Sequence, residues 1–227
     1  MIDGSSGIVS IRDNVASVEE RITRACARVG RSRGEVTLVA VSKTFPAEFV
    51  DEAIAAGIAE VGENRVQEAR EKKPLVRGVA RWHFIGHLQT NKAKDAVKLF
   101  DVIQAVDSLE LAEKLAHVAD GHGKRQEVML QVNVGDEPQK SGIARGDVES
   151  VVRQASALTS LRVIGLMAIP PIGTADESRS YFRELRSMRD ALGLEHLSMG
   201  MSEDFEAAIE EGSTIVRVGR AIFGSRG

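Results

Sequence analysis

Apolar residues fall into two kinds of stretch that alternate along the chain. One kind is short and almost continuously apolar. Eight such runs stand at residues 37–43, 58–62, 82–85, 102–106, 127–134, 162–169, 196–199 and 215–218. Runs of this length, apolar on both faces, predict strands buried on both sides, as in a parallel sheet. The other kind repeats apolar positions every three or four residues, which predicts helices with one buried face. The leading helix covers about residues 10–29, with Val15, Val18, Ile22, Cys26 and Val29 on one stripe. A second has Pro46 in its first turn, a face of Phe49, Val50, Ala53 and Ile54, and Gly57 at its end. Asn64 with Gln67 reads as a cap and its box partner for the next. Ser108 opens another through Leu109, Leu111, Ala112 and Leu115, and later helices run near 146–158, 176–192 and 202–211. In residues 176–192 the spacing of Phe182, Leu185, Met188 and Leu192 reads as core.

Strand and helix alternating eight times imply parallel strands with helical crossovers. In this length the expected α/β architecture is a single (β/α)8 barrel, a TIM barrel, spanning residues 1–227, with an extra N-terminal helix and a flexible tail at 1–9. An open doubly wound sheet is the alternative. It would carry a glycine-rich turn after its first strand, whereas this strand ends in Ser42, Lys43, Thr44, Phe45 and Pro46.

Composition narrows the classes. The chain has 227 residues, 43% hydrophobic and 28% charged, with a net charge of -3. Mixed charges argue against a nucleic-acid or membrane-surface protein. The cationic cluster at residues 71–73 reads as a solvated helix end. No apolar run approaches the ~18 residues of a membrane span, and the first residues lack the pattern of a signal peptide. The single Cys26 excludes an internal disulfide and reads as a small core residue. The expected location is cytoplasmic.

A barrel carries its chemistry at the carboxyl ends of its strands. There stand Lys43, then Gly62 to Asn64, then His87, then Asn133 and a loop to Lys140, then Met167, then residues 198–202, then Arg217 to Arg220. A lysine at the end of a stiff apolar strand is dehydrated, which favours the neutral, nucleophilic amine and a Schiff base with an aldehyde. The last two loops are where barrels hold phosphate. Gly200 and Gly219 permit close approach, Ser198 and Ser202 offer hydroxyls, and Arg220 offers charge. Ser202 also reads as the cap of a helix beginning at Glu203. A ligand bridging amine and cradle across the mouth needs an aldehyde and a phosphate on one small ring, which describes pyridoxal 5′-phosphate. Arg217, if its strand turns it inward, meets the ring nitrogen and keeps it unprotonated; otherwise it forms an interior ion pair.

These residues resemble one family. The matching segments are Leu38-Val-Ala-Val-Ser-Lys43, Gly62-Glu-Asn-Arg-Val-Gln-Glu68, Trp82-His-Phe-Ile-Gly-His-Leu-Gln-Thr-Asn-Lys92, Gln131-Val-Asn-Val134, Lys140-Ser-Gly142, Gly165-Leu-Met167, Leu197-Ser-Met-Gly-Met-Ser202, Arg217-Val-Gly219 and Ala221-Ile-Phe-Gly224. In this order and spacing the chain is similar to the YggS/PROSC-type pyridoxal phosphate homeostasis proteins. The resemblance implies a fold-type III PLP barrel, like the N-terminal domain of alanine racemase without its C-terminal β domain. It implies Lys43 as the Schiff-base lysine, Ser198, Gly219 and Arg220 around the phosphate, Arg217 near the pyridine nitrogen, Asn64, His87 and Met167 around the ring, and Met199 as a further cofactor-binding residue. The family pattern has Thr or Ser at the position of Arg220, so a guanidinium replaces a hydroxyl while the backbone N–H remains. The implied role is to bind, buffer or deliver PLP in vitamin B6 and amino-acid homeostasis without turnover and with no catalytic residues. PLP-dependent apoenzymes are the candidate acceptors, and the expected state is a monomer.

An amino-acid racemase needs a second acid/base opposite the lysine, a tyrosine in alanine racemase; the one tyrosine, Tyr181, falls in a predicted outer helix. His83, His87, His117, His122 and His196 lack metal-ligand spacing, so no metal is expected. His83 reads as an interior histidine; His117 and His122 read as solvated. Lys140, in a turn-rich loop, reads as a solvated lysine with a secondary role in guiding PLP.

Overall fold

The computed structural model describes residues 10–224, so the expected tail at 1–9 lies outside the described residues. Nine strands occur among the described residues: β1 (Thr37–Val41), β2 (Glu60–Glu63), β3 (Arg81–Phe84), β4 (Val102–Val106), β5 (Gln126–Asn133), β6 (Ile143–Ala144), β7 (Leu161–Ala168), β8 (His196–Ser198) and β9 (Ile215–Val218). Eight of them pair in parallel, β1 with β2, then β3, β4, β5, β7, β8 and β9 in turn. The ring closes where Val39 faces Arg217 across β1 and β9. This is the expected eight-stranded TIM barrel. The two-residue β6 lies outside the ring on the edge of β5; a strand that short leaves no periodicity to read.

The coat consists of α1 (Ile11–Arg28), α2 (Ala47–Ala55), α3 (Val66–Lys72), α4 (Ala93–Leu99), α5 (Leu109–Asp120), α6 (Val148–Ser156), α7 (Ala175–Leu192), α8 (Phe205–Glu210) and α9 (Arg220–Phe223). A helix of four residues cannot cover the β9–β1 seam. The extra helix α1 does so, packing on α8, α9 and α2. Its buried stripe is Ile11, Val15, Val18, Ile22, Ala25 and Cys26. Asn14 Nδ2 donates to Ile222 O at 2.9 Å, and Arg31 Nη1 donates to Ile209 O and Ser213 O at 2.9 and 2.8 Å. Val29, expected on the stripe, is the residue that caps the helix and stands 42% exposed.

Alternation along the strands divides the core in two. Leu38, Ala40, Val216 and Val218 join the layer shared with the helices, including Phe182 and Leu185 of α7. Val39, Val102, Ala105, Met129, Ile164, Met167 and Ile215 form a separate apolar plug. At the amino-terminal rim, Arg81 pairs with Glu127, which pairs with Arg162 at 2.9 Å, which pairs with Glu195 at 2.8 Å. That rim is held by exposed ion pairs.

Two predicted caps shift. β2 runs on through Glu63, so Asn64 lies in the exit turn and Arg65 precedes α3, with no side-chain cap bond. α8 begins at Phe205, and the carboxylate of Asp204 accepts the Met201 N–H at 2.6 Å. Ser202 sits in the turn before it and is not the cap. A carboxylate two residues on reaches that amide, and an extra turn of chain precedes the helix.

Candidate cofactor site

β1 ends at Val41, so Lys43 stands two residues past the strand, half-buried in a turn. The following residue, Thr44, has φ +70, a left-handed conformation that a β-branched side chain adopts only under constraint. The turn is closed by Phe45 N–H donating to Ser42 O at 3.0 Å. Phe45 stacks on Phe49 and on Phe223, with ring centroids 5.7 and 5.2 Å away. Lys43 therefore leaves the barrel on a fixed, strained turn rather than on the strand itself.

The β9 exit lies beside this turn, and the β8 exit lies on the far side of β9. β9 pairs with β1, so the turn at Gly219 is beside Lys43's strand, and the expected bridge across the mouth becomes a short span between neighbours. A Cβ at Gly219 would stand 3.2 Å from Val41 O. Gly200 has φ +92, and a Cβ there would lie 2.6 Å from the Cβ of Ala208. Arg217 N–H donates to Gly200 O at 3.0 Å and ties the two turns together. The first amides of α9 lack partners within their own short helix, as the start of any helix does. The Arg220 side chain points away to Glu203, 2.7 Å off at an exposed surface. A long cation beside a nearby carboxylate pairs with it, which a Thr or Ser at this position could not do. Met199 is wholly buried in the layer beneath the helices, with its N–H on Ile215 O at 3.2 Å.

Arg217 is buried, 4% exposed. Its Nη1 donates to Ser198 Oγ at 2.5 Å and its Nη2 to Ala168 O at 3.0 Å. Burial pulls its pKa down to about 10, against the Asp204 carboxylate, which acts in the other direction. Burial in turn raises the Asp204 carboxyl above its ordinary range. The side chain of Arg217 thus lies inside the barrel, with hydrogen bonds to a hydroxyl and a carbonyl rather than to a carboxylate. Ser198, expected as a phosphate hydroxyl, is wholly buried, and its Oγ donates to Gln104 Oε1 at 2.6 Å. Gln104 Nε2 lies 2.7 Å from His83 Nδ1, and His83 Nε2 lies 2.5 Å from Glu60 Oε2. Arginine can only donate and a carboxylate only accept, so the two ends orient every link between them. His83 therefore carries its proton on Nε2.

Asn64 keeps a buried Oδ1 with no hydrogen-bond partner. Met167 is in the interior plug. His87 is largely exposed, with Nδ1 3.1 Å from both Asp107 Oδ2 and Ser141 Oγ, linking the exits of β3, β4 and β5. Lys140 is not free in solvent: its Nζ is 2.5 Å from Glu137 Oε2 and 3.2 Å from Pro170 O. His83 is interior, His117 and His122 are exposed, and Tyr181 lies on α7 outside the barrel. No cluster of three or more His, Cys, Asp or Glu suited to a metal occurs among the described residues. No helix among them is long and apolar enough to cross a membrane.

Sequence reasoning did not assign roles to Gln104, Glu60, Glu63 or Lys72. A lone amide inside the apolar run at 102–106 was the available signal for Gln104. Lys72, read as part of a solvated helix end, is only 6% exposed. Its Nζ is 2.5 Å from Glu63 Oε1 and 2.9 Å from Glu68 Oε1.

A family model described as alanine racemase, N-terminal domain, matches residues 14–227. The pyridoxal phosphate homeostasis protein of Aquifex aeolicus is 41% identical over 222 residues, covering 94% of this chain and 97% of that one. The chain belongs to the pyridoxal phosphate homeostasis family. The relative of the same name from Escherichia coli K12 is 40% identical, covering 95% of this chain and 97% of that one. Among solved structures, PipY of Synechococcus elongatus with PLP bound is 37% identical with a TM-score of 0.84, covering 95% of this chain and 100% of that one. A structure described as an unknown protein from Bifidobacterium adolescentis is 36% identical with a TM-score of 0.89, covering 94% of each chain. Alanine racemase of Clostridium difficile shares the fold at 18% identity and a TM-score of 0.68; this chain spans 57% of its length.

Proposed function

We propose that this chain binds pyridoxal 5′-phosphate covalently through Lys43 and serves vitamin B6 and amino-acid homeostasis as a carrier or buffer. When bound, that molecule supplies an aldehyde, which condenses with a primary amine and releases water. The residues present fit it. Lys43 is a half-buried primary amine on a constrained turn. Gly219, against the end of β1, and Gly200, on the β8 turn, stand where a Cβ would crowd neighbouring atoms, so both turns present bare backbone. Asn64 Oδ1 is a buried acceptor awaiting a donor. Arg217 is a buried donor-only group suited to an unprotonated ring nitrogen. In this reading Lys43 binds the aldehyde carbon, backbone at Gly200 and Gly219 holds the phosphate, and Arg217, Asn64, His87 and Met167 surround the ring. The hydroxyl of Ser198 and the side chain of Met199 act through Arg217 and packing. Arg220 contributes its backbone N–H.

The observation that carries this reading is the adjacency of the Lys43 turn and the Gly219 turn, which brings a primary amine and a bare-backbone turn within the span of one compact aldehyde phosphate. Relatives named as homeostasis proteins support a role without turnover, as does Tyr181 lying outside the barrel. We read the protein as a cytoplasmic monomer that passes its ligand to PLP-dependent apoenzymes. Borohydride treatment of the loaded protein followed by peptide mapping tests the assignment. The label is expected on Lys43; a label mainly on Lys140 reverses it.

A further inference from the structure

Both neighbours of Lys43 are gripped by one buried ion cluster that the proposed binding does not use. Ser42, wholly buried, donates its Oγ to Glu63 Oε1 at 2.6 Å. Its carbonyl accepts from Lys72 Nζ at 2.8 Å. On the other side, Thr44 N–H donates to Glu68 Oε1. Lys72 joins the two carboxylates, so three charged side chains from β2 and α3 hold the residues before and after the amine. Glu63 is fully enclosed, and burial raises its carboxyl above the ordinary range even though Lys72 and Ser42 both oppose the rise.

Burying Lys72 and Glu63, with Glu68 half-buried beside them, is expensive, and a well-packed apolar cluster would stabilise the fold as well or better. A left-handed Thr44 adds strain, which persists only where surrounding contacts over-determine it. Both features make sense if the cluster's task is geometric. We propose that Lys72, with Glu63 and Glu68, is the positioning residue for Lys43. It sets the turn so that the amine reaches its aldehyde along one trajectory. The proposal rests on the reading of Lys43 given above. It assigns function to a lysine whose sequence context looked like a solvated helix end.

The test uses the full chain and two variants. In the double variant Lys72→Met with Glu63→Gln, no unpaired charge is buried. Glu68→Ala removes the acceptor of the Thr44 N–H and one of the two ion pairs of Lys72 from a partly exposed position, leaving the Lys72–Glu63 pair in place, and it stays folded if the double variant does not. Two readouts are taken on each. The first is the rate of borohydride-trapped adduct on Lys43 with pyridoxal 5′-phosphate. It is expected to fall about ten-fold or more, because small misplacement of a reacting group has effects of that size. The second is hydrogen exchange at the Thr44 amide without ligand, expected to quicken about ten-fold or more as the local structure opens. A folded variant with unchanged trapping and unchanged Thr44 protection overturns the proposal. If the unmodified chain traps nothing on Lys43, the binding assignment fails separately, and Thr44 exchange still decides whether the cluster sets the turn.

Discussion

Arg217 and Ser198 are joined by a hydrogen bond of 2.5 Å inside the barrel, from Nη1 to Oγ. The serine's own proton then points to Gln104, and the chain of contacts runs on through His83 to Glu60, the first residue of β2. A group that sits near the carboxyl end of β9 is thus oriented by one at the amino end of β2.

Gln104→Leu cuts this chain while conserving volume. It strands the Ser198 hydroxyl and His83 Nδ1, each at about 1–3 kcal/mol for a buried polar group left unpaired. A drop of about 2–5 kcal/mol in unfolding free energy is expected by denaturant titration, with weaker PLP binding by absorbance. Loss of less than about 0.5 kcal/mol would show that the links are not coupled.

Lys43→Ala should abolish the borohydride-stable label and leave the melting temperature within a few degrees. Lys43 lies past the strand, half-buried in a turn, so truncation there leaves both apolar cores intact. Mass spectrometry and a thermal melt on the same sample check both halves.

Gly200→Ala and Arg220→Thr separate backbone from side chain at the expected phosphate turn. The first forces a Cβ to 2.6 Å from Ala208 at φ +92, so about 1–3 kcal/mol of destabilisation and weakened PLP binding are expected. The second breaks an exposed ion pair with Glu203 and should change stability by less than about 0.5 kcal/mol. PLP affinity for Arg220→Thr should match or exceed that of the parent in a fluorescence titration.

His196 gives a pH dependence. Burial holds its pKa below the ordinary 6.5, more than the nearby Glu195 carboxylate raises it. The unfolded chain therefore takes up the proton at higher pH than the folded one. Its contribution to stability is complete above 6.5 and is lost as pH falls toward the folded value. Melting temperatures between about pH 7.5 and about pH 5 should fall less steeply for His196→Gln.

Incubation with L-alanine and PLP, followed by chiral analysis, should give no D-alanine above a free-PLP control. Sustained turnover would replace the carrier reading with a racemase.

The order of elements was legible because its signals are local. Eight apolar runs separated by helical periodicity need only neighbouring residues, and they define the barrel and the end of it that carries Lys43, Gly200, Arg217 and Gly219. Which polar side chains meet was decided by closure of the ring, which brings residues far apart in sequence into contact. Closure put Gly219 beside Val41 and turned Ser198 toward Gln104. Lys72 looked solvated because charge alone predicts exposure, while its burial depends on carboxylates nine and four residues earlier that only the β2–α3 geometry aims at it. Periodicity sets which face of an element is buried; the partner found there is a property of the assembled barrel.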